Sequence, residues 1–316
     1  MLPALVGPTG IGKTALSLEV ACRLEAEVIS MDSRQVYRGM DIGTAKVRPE
    51  ERELVAHHGL DLVDPGEPYS AARFARDARV WIREIAARSR LPLLVGGTGF
   101  FLRALTDPVF REPPVEPGRR GRLREWLAGR NPVELRRWLA VLDPARLAGT
   151  DPGGRHRLSR GIEVALLTGR PLSWWHREGP LDAEPLDVRL VLLELDRAEL
   201  YRRIDRRTEA MFEAGLLDEV RCLLEGGVRP DDPGMTATGY REATAVLQGE
   251  LAPAEALRLV QSATRRYARR QLTWFRNQRP APSLRIDVSL PLAAQAERVE
   301  AWWRRTGAGP GGVAGA

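Results

Sequence analysis

A glycine-rich segment near the start of the chain has the spacing of a phosphate-binding loop. Gly7 and Gly12 enclose four residues and are followed by Lys13 and Thr14, which fits the pattern G-x-x-x-x-G-K-[ST]. In this motif backbone N–H groups and the next helix N-terminus hold phosphate oxygens, lysine neutralises charge, and the hydroxyl ligates Mg²⁺. The segment predicts a diphosphate or triphosphate site with Thr14 as metal ligand. The predicted phosphate-binding residues are Gly7, Pro8, Thr9, Gly10, Ile11, Gly12, Lys13 and Thr14.

Lysine is rare in this chain, and its positions indicate where a compact cation is needed. Of the 48 lysines and arginines, only Lys13 and Lys46 are lysines. A lysine ammonium is a point charge on a flexible stem and is not interchangeable with the planar guanidinium of arginine. Both lysines lie in glycine-containing segments, so we predict that each lies where an anion such as phosphate is held.

The residues after the later apolar runs are poorly suited to nucleotide hydrolysis, which uses a metal-binding carboxylate at the end of an apolar strand. The run 91–95 ends in the sequence Gly-Gly-Thr-Gly at 96–99, which offers N–H groups and a hydroxyl instead. Asp64, after the run 60–63, is an alternative metal partner, but Pro65 follows it and a turn role is equally open. The phosphate site is therefore better suited to holding a diphosphate than to hydrolysis.

A carboxylate follows the second apolar run. Asp32 comes directly after residues 27–31, and ligands of open α/β sheets bind at the carboxyl ends of the strands. A carboxylate there can take a proton from an attacking nitrogen or oxygen. An equally open interpretation is that Asp32 caps a turn at Ser33 and Arg34. The long loop 33–46 favours a functional role, because long loops in compact domains often carry function.

These residues need a sheet to position them, and the first third of the chain has the pattern of one. Short apolar runs alternate with helical patterns, which is typical of a parallel sheet covered by helices on both faces. Strands are predicted at 2–6, 27–31, 60–63 and 91–95.

The pattern changes at residue 106, after which arginine-rich helical segments follow one another without a strand pattern. An apolar run at 188–195 then restores a strand. We therefore predict an α/β fold, a P-loop NTPase-like parallel sheet flanked by helices, with an all-helical insertion domain. The predicted divisions are 1–105 for the first part of the core, 106–186 for the insertion, 187–305 for completion of the core, and 306–316 for a disordered tail.

The composition is that of a globular chain with excess positive charge. Hydrophobic residues make up 43% and charged residues 28%, which suffices for a buried core, and the formal net charge is +6. The apolar runs are too short to cross a bilayer, and the first residues lack a secretory pattern. The two cysteines, Cys22 and Cys222, argue against a disulfide framework and are expected to be buried. We predict a cytoplasmic protein without a membrane partner.

Three arginine clusters, at 119–124, 155–160 and 265–270, point to an anionic partner. Neutralisation of phosphates dominates the affinity of proteins for RNA. Each cluster alone is more typical of a solvated helix face, but the three together with the positive net charge favour RNA binding.

Together these segments resemble the bacterial tRNA dimethylallyltransferases, also called tRNA isopentenyltransferases. The resemblance runs from about residue 5 to residue 276 and is most specific in Met-Asp-Ile-Gly-Thr-Ala-Lys at 40–46. The other matching segments are the phosphate loop, 29–33, 37–39, 94–99, 157–160 with Glu163, 239–241, 264–271 and 273–274.

This resemblance implies transfer of a dimethylallyl group from dimethylallyl diphosphate to N6 of the adenosine just 3′ of the anticodon, with Mg²⁺ assisting and diphosphate leaving. The implied catalytic residues are Asp32 as base, Thr98 in contact with the adenosine or the diphosphate, and Arg207 at the diphosphate. The implied RNA partner is the anticodon stem-loop of tRNA, and we expect a monomer. The implied tRNA-binding residues are Asp32, Ser33, Arg34, Gln35, Thr98, Arg120, His156, Arg157, Leu158, Ser159, Arg160, Thr236, Ala237, Thr238, Gly239, Tyr240 and Arg241.

Three other functions use some of the same features. A small-molecule kinase uses the same loop and an acceptor-side aspartate but requires ATP. A transferase that prenylates free adenine nucleotides does not need the arginine-rich insertion. A nucleotide-switched RNA-binding protein without catalysis binds tRNA and leaves it chemically unchanged.

Overall fold

The computed structural model describes residues 1–107, 109–111, 115–148, 154–179, 181–277 and 281–307. They form two compact units, of which the smaller spans Asp107–Pro185 and the larger contains the chain before and after it. Of the predicted tail, residues 308–316 lie outside the described part of the chain.

The strands of the larger unit form one parallel sheet. In the described part of the chain the strands are β1 Leu2–Val6, β2 Ala26–Met31, β3 His57–His58, β4 Leu91–Gly96, β5 Val109–Phe110, β6 Leu181–Ala183, β7 Val188–Glu194 and β8 Leu284–Asp287, of which β5 and β6 belong to the smaller unit. Six of them pair in the order β3-β2-β4-β1-β7-β8, and every pairing in this sheet is parallel. The strands β2, β4 and β1 are therefore neighbours, so the loops at their carboxyl ends lie side by side.

The central strands are buried along their whole length. All residues of β1, β2 and β4 are buried. Successive side chains of a strand point to opposite faces, so complete burial means that both faces of the sheet are covered. The predicted P-loop NTPase-like α/β fold is confirmed.

The helices on either side of the insertion belong to the larger unit, in which α1 (Lys13–Leu24) packs against α14 (Leu292–Arg305) and α10 (Arg197–Glu213) packs against α13 (Pro253–Arg276). No helix in the described ranges combines the length and the apolar character that a membrane crossing requires. The helices before the insertion are α1 Lys13–Leu24, α2 Pro49–Leu54, α3 Ala71–Ala87 and α4 Gly99–Thr106. Within the insertion they are α5 Pro117–Ala128, α6 Pro132–Leu142, α7 Pro144–Ala148, α8 Arg155–Thr168 and α9 Leu172–Glu178. Those that follow are α10 Arg197–Glu213, α11 Leu216–Glu225, α12 Tyr240–Leu247, α13 Pro253–Arg276 and α14 Leu292–Arg305.

The smaller unit has a core of its own. Five leucine and isoleucine side chains of α5, α6 and α8 are almost fully buried together. A short antiparallel ribbon of β5 and β6 accompanies these helices. The helical character is as predicted, and the ribbon is an addition that the sequence pattern did not indicate.

Two expectations from the sequence are wrong. The strand predicted at 60–63 is not formed, and the pairing with β2 is made by His57 and His58 instead. Gly59 and Asp61 have φ angles of 85° and 53°, which interrupt an extended strand. Cys22 and Cys222 are exposed, because each lies on the outer side of its helix beyond the buried positions.

Candidate active site

Three of the predicted segments meet at the carboxyl ends of adjacent strands. The phosphate loop follows β1, Asp32 follows β2, and Thr98 follows β4. The N–H of Thr98 donates to the carbonyl oxygen of Met31 at 3.2 Å, and the N–H of Ser33 donates to Oγ1 of Thr98 at 3.1 Å. Backbone and side-chain hydrogen bonds thus hold the Asp32 and Thr98 loops together.

The phosphate loop leads into α1 through Gly12, which caps the helix with a φ of 103° in the left-handed region that glycine adopts without strain. Nζ of Lys13 donates to the carbonyl oxygens of Gly7 (3.0 Å) and Pro8 (2.8 Å). Burial lowers the pKa of Lys13 to about 8, opposed by the negative charge of Asp32 and assisted by the positive charge of Arg207. A bound diphosphate would stabilise the ammonium and raise this pKa. Ile11 has a buried side chain, so it can offer only its backbone to a ligand.

Arg207 reaches this loop from α10. Its Nη1 donates to Oγ1 of Thr9 at 3.1 Å across 198 positions of sequence. Burial lowers the pKa of Arg207 and Asp32 counters that effect, but a guanidinium remains charged at neutral pH. The structure therefore brings two cations, Lys13 and Arg207, to the predicted diphosphate cradle, with the Asp32 carboxylate interacting with both.

Asp32 is half-buried, and its side chain both accepts a hydrogen bond in a turn and lines a cavity. Its Oδ1 accepts the N–H of Arg34 at 2.9 Å, as the turn-capping interpretation predicts. It also lines a cavity of about 420 Å³ together with Thr9, Thr98 and Arg207. The capping and the functional interpretations are thus compatible. The cavity has the size of a small-molecule site.

Two residues of α13 that the sequence analysis did not assign complete this region. The amide of Gln271 bridges two loops, because its Oε1 accepts the N–H of Thr9 at 2.9 Å and its Nε2 donates to the carbonyl oxygen of Gly97 at 2.8 Å. Burial and the charge of Asp32 raise the pKa of Tyr267 to about 12, so its phenol is neutral at physiological pH. The available signal was a glutamine at a buried position of an otherwise apolar helix face.

Lys46 does not hold phosphate, which corrects the prediction from lysine rarity. Its side chain is 1% exposed, and Nζ lies 2.5 Å from Asp41 and 2.6 Å from Asp61. It also donates to the carbonyl oxygen of Tyr37 at 2.8 Å. The Lys46 ammonium therefore binds groups of the protein itself and stabilises the loop 33–46. Asp64 is exposed and its carbonyl oxygen accepts the N–H of Glu67, which is a turn role.

The tRNA-binding candidates of the larger unit divide into two groups. Ser33, Arg34 and residues 236–239 line the same cavity as Asp32, and Arg241 is exposed. Gln35 uses its amide within the chain, and Tyr240 is completely buried. A tRNA contact by the Tyr240 side chain is therefore wrong, because its ring is packed inside the protein.

Arg34 lines this cavity close to Thr236. Its Nη1 donates to the carbonyl oxygen of Pro233 at 2.8 Å and to Oγ1 of Thr236 at 3.3 Å. The guanidinium of Arg34 therefore places a positive charge next to Thr236, whose own side chain is uncharged.

Two of the tRNA-binding candidates of the smaller unit, Arg120 and Arg160, lie close to Glu163. Arg124 and Arg160 contact its carboxylate at 2.9 and 2.7 Å, and Arg120 lies 3.8 Å away. Burial opposes ionisation of Glu163, but these arginines outweigh it and lower its pKa. His156 and Arg157 are exposed and Ser159 is half-buried. Leu158 is fully buried in the core of this unit, so the predicted tRNA contact by its side chain is wrong.

Comparison with known proteins identifies the family. Residues 35–278 match the family model described as IPP transferase, and residues 1–62 match the one described as isopentenyl transferase. The chain belongs to the IPP transferase family. The resemblance found in the motifs is thereby confirmed.

Relatives of this IPP transferase family member cover most of its length. A tRNA dimethylallyltransferase of Thermomicrobium roseum is 47% identical over 275 residues, which are 86% of this chain and 82% of that protein. One of Geobacillus kaustophilus is 41% identical over 93% of both chains. The crystal structure of the tRNA isopentenylpyrophosphate transferase of Bacillus halodurans has a TM-score of 0.69 and 36% identity over 97% of both chains. A eukaryotic dimethylallyltransferase captured acting on tRNA has a TM-score of 0.74 and 27% identity, covering 87% of this chain and 69% of that one.

Proposed function

We propose that the chain transfers a dimethylallyl group from dimethylallyl diphosphate to N6 of the adenosine just 3′ of the anticodon in tRNA. The observation that carries this proposal is the shared cavity, in which Asp32 and Thr98 lie beside Thr9 of the phosphate loop and Arg207. One cavity thus contains a proton acceptor and part of the proposed diphosphate cradle. The relatives named as tRNA dimethylallyltransferases support the same reaction.

The proposed chemical step is a nucleophilic displacement. The N6 nitrogen attacks the allylic carbon and forms a C–N bond, while the bond from that carbon to the diphosphate oxygen breaks. The electron pair leaves with diphosphate, whose developing charge is stabilised by Lys13, Arg207 and the N–H groups of the loop. The proton lost from N6 passes to the carboxylate of Asp32.

Thr98 is proposed to contact the reacting groups. Its Oγ1 accepts the N–H of Ser33 at 3.1 Å, and Ser33 and Tyr267 line the cavity together with it. These neighbours fix the orientation of the hydroxyl, and a fixed polar group costs little reorganisation when charge develops.

The residues present fit a magnesium ion shared with the substrate. Thr14 is exposed in the first turn of α1, and it lines a small cavity with Lys13 and Asp32. Mg²⁺ prefers oxygen ligands and is usually held by one or two protein groups together with substrate phosphates and water. We propose that Thr14 holds the ion, which when bound would neutralise diphosphate charge.

The tRNA assignment is supported by basic groups in each unit. Arg34 lies at the cavity, and Arg157 is exposed at the start of α8. The target base must leave its stack to reach a cavity of this kind, which costs a few kcal/mol and is easiest in a loop.

One competition assay tests the function. The protein is incubated with tRNA, free AMP and dimethylallyl diphosphate labelled in its prenyl group, with and without ATP. We expect label only in tRNA, at the adenosine next to the anticodon, independently of ATP. Label in AMP would indicate the free-nucleotide transferase, and consumption of ATP without prenyl transfer would indicate a kinase. Binding of tRNA without any label transfer would indicate a non-catalytic RNA-binding protein.

A further inference from the structure

The carboxylate of Glu219 on α11 accepts hydrogen bonds from two separate segments. Its Oε2 accepts the backbone N–H groups of Asp41 (2.9 Å) and Ile42 (2.7 Å), and its Oε1 accepts that of Gly43 (3.3 Å). Oε1 also accepts the hydroxyl proton of Tyr240 at 2.5 Å. One side chain thus ties the loop after β2 to the first residue of α12.

All four groups that face this carboxylate are donors, so the site requires a side chain that only accepts. A glutamine would present an NH₂ group to N–H or O–H donors and leave at least one of them unpaired. An unpaired polar group away from water costs about 1–3 kcal/mol. The Tyr240 hydroxyl is kept protonated here, because burial and the charge of Glu219 raise its pKa.

The two tied segments also touch each other directly. A Cβ placed on Gly43 would come within 2.4 Å of Cε2 of Tyr240, so the loop backbone lies flat against the tyrosine ring. Tyr240 is completely buried and cannot move aside. No residue larger than glycine fits at this contact without displacing its neighbours.

Both segments form walls of the candidate active site. Gly43 and Thr44 line the 420 Å³ cavity from the loop, and residues 236–239, which lead into Tyr240, line it as well. Lys46, at the end of the loop, adds a second tie to Asp41 through that residue's carboxylate and also pairs with Asp61. Glu219 therefore holds the part of the loop that faces the cavity.

We propose that Glu219 is a positioning residue that sets the width of the cavity for the acceptor nucleotide, acting through Gly43 and Tyr240. This inference rests on the proposed prenyl transfer to tRNA. The groups it holds belong to the walls of the cavity and not to the phosphate loop. Its loss should therefore affect the acceptor more than the diphosphate.

The test measures both Michaelis constants in Glu219→Gln. We expect the KM for tRNA to rise about tenfold, as the loss of one hydrogen-bond partner would produce, while the KM for dimethylallyl diphosphate stays within about twofold. Asp218→Asn is the matched control, because it removes a carboxylate from the same helical turn but from an exposed position paired with Arg221. We expect both constants to be unchanged in this control. Tyr240→Phe removes a single donor and should raise the KM for tRNA less than Glu219→Gln does.

Thermal unfolding separates positioning from a purely structural role. A lower melting temperature of Glu219→Gln with unchanged KM values, or an equal rise of both KM values, would overturn the inference and leave the proposed function intact. If Glu219→Gln does not fold, the Tyr240→Phe result decides in the same way. If the unaltered protein prenylates no tRNA, the proposed function itself fails, which the unaltered sample reveals before any variant is compared.

Discussion

At the scale of single residues, the candidate active site brings the carboxylate of Asp32 near two cations. Asp32 interacts electrostatically with both Lys13 and Arg207, and each of these cations is disfavoured by burial. Such an arrangement stabilises an anionic ligand because the cations are held in place before it arrives. The carboxylate of Asp32 can then accept a proton from the neutral acceptor nucleotide.

Replacement of Asp32 by asparagine tests its role as base. Asparagine keeps an oxygen for the N–H of Arg34, so the turn is retained, but it cannot take up the N6 proton. We expect kcat to fall by about 10²–10⁴, the range for loss of a general base. tRNA affinity, measured by fluorescence anisotropy, should change little. Asp64→Asn, at an exposed turn, serves as the control. Turnover by Asp32→Asn at the rate of the unaltered protein would remove Asp32 from the mechanism.

Lys13 predicts a pH dependence of diphosphate binding. Its pKa in the free protein is lowered to about 8, so the ammonium is present below that pH and is lost as the pH rises through it. Bound diphosphate favours the charged form, and binding should therefore weaken above about pH 8. Calorimetric titration with inorganic diphosphate measures this dependence. In Lys13→Arg the guanidinium stays charged, so the decline near pH 8 should vanish, whatever the affinity. A decline of the same midpoint in that variant would assign the titration to another group.

At the scale of elements, the sequence predicts what is local and misses what is distant. The phosphate loop, Asp32 and Thr98 each directly follow an apolar strand, and that pattern alone places them at one edge of a parallel sheet. Gln271 contacts Thr9 and Gly97 across 262 and 174 positions, and no periodicity within α13 reveals those partners. Contacts of this kind depend on how helices pack and become visible only in three dimensions.

The wrong predictions have the same origin. Lys46 was assigned to phosphate from its residue type, but Asp61, which comes from another loop, neutralises it. Leu158 lies within a matching motif, yet the helix turns its side chain into the core. A motif fixes which residues are present, whereas the direction of a side chain depends on the face of the helix that packs.

Gln271→Met tests whether α13 aligns the two loops. Methionine has a similar volume but leaves the N–H of Thr9 and the carbonyl oxygen of Gly97 without their partner, at a cost of about 1–3 kcal/mol each. We expect a lower melting temperature and a KM for dimethylallyl diphosphate raised about tenfold, because the phosphate loop loses a support. Gln261→Met, on the same helix but bonded to Glu209 at its surface, should leave the KM unchanged. Equal effects of the two substitutions would assign the result to helix stability alone.

At the scale of the whole molecule, charge and architecture are distributed over two units. The net charge of +6 comes from an arginine-rich chain, and the smaller unit buries its own apolar cluster. Within that unit Glu163 neutralises part of the arginine cluster, whereas Arg157 is exposed. Arg157 is therefore better placed for an RNA phosphate than the arginines that converge on Glu163.

Arg157→Ala tests this assignment through the salt dependence of tRNA binding. Each phosphate contact releases counterions, so losing one contact should reduce the slope of log K against log salt concentration by about 0.7–0.9. The KM for dimethylallyl diphosphate and kcat at saturating tRNA should remain unchanged. Arg202→Ala removes the same charge from an exposed helix of the larger unit, where the side chain pairs with Glu199, and should leave the slope as it is. An equal reduction in both variants would mean that tRNA responds to the overall field of the protein, without a contact to Arg157.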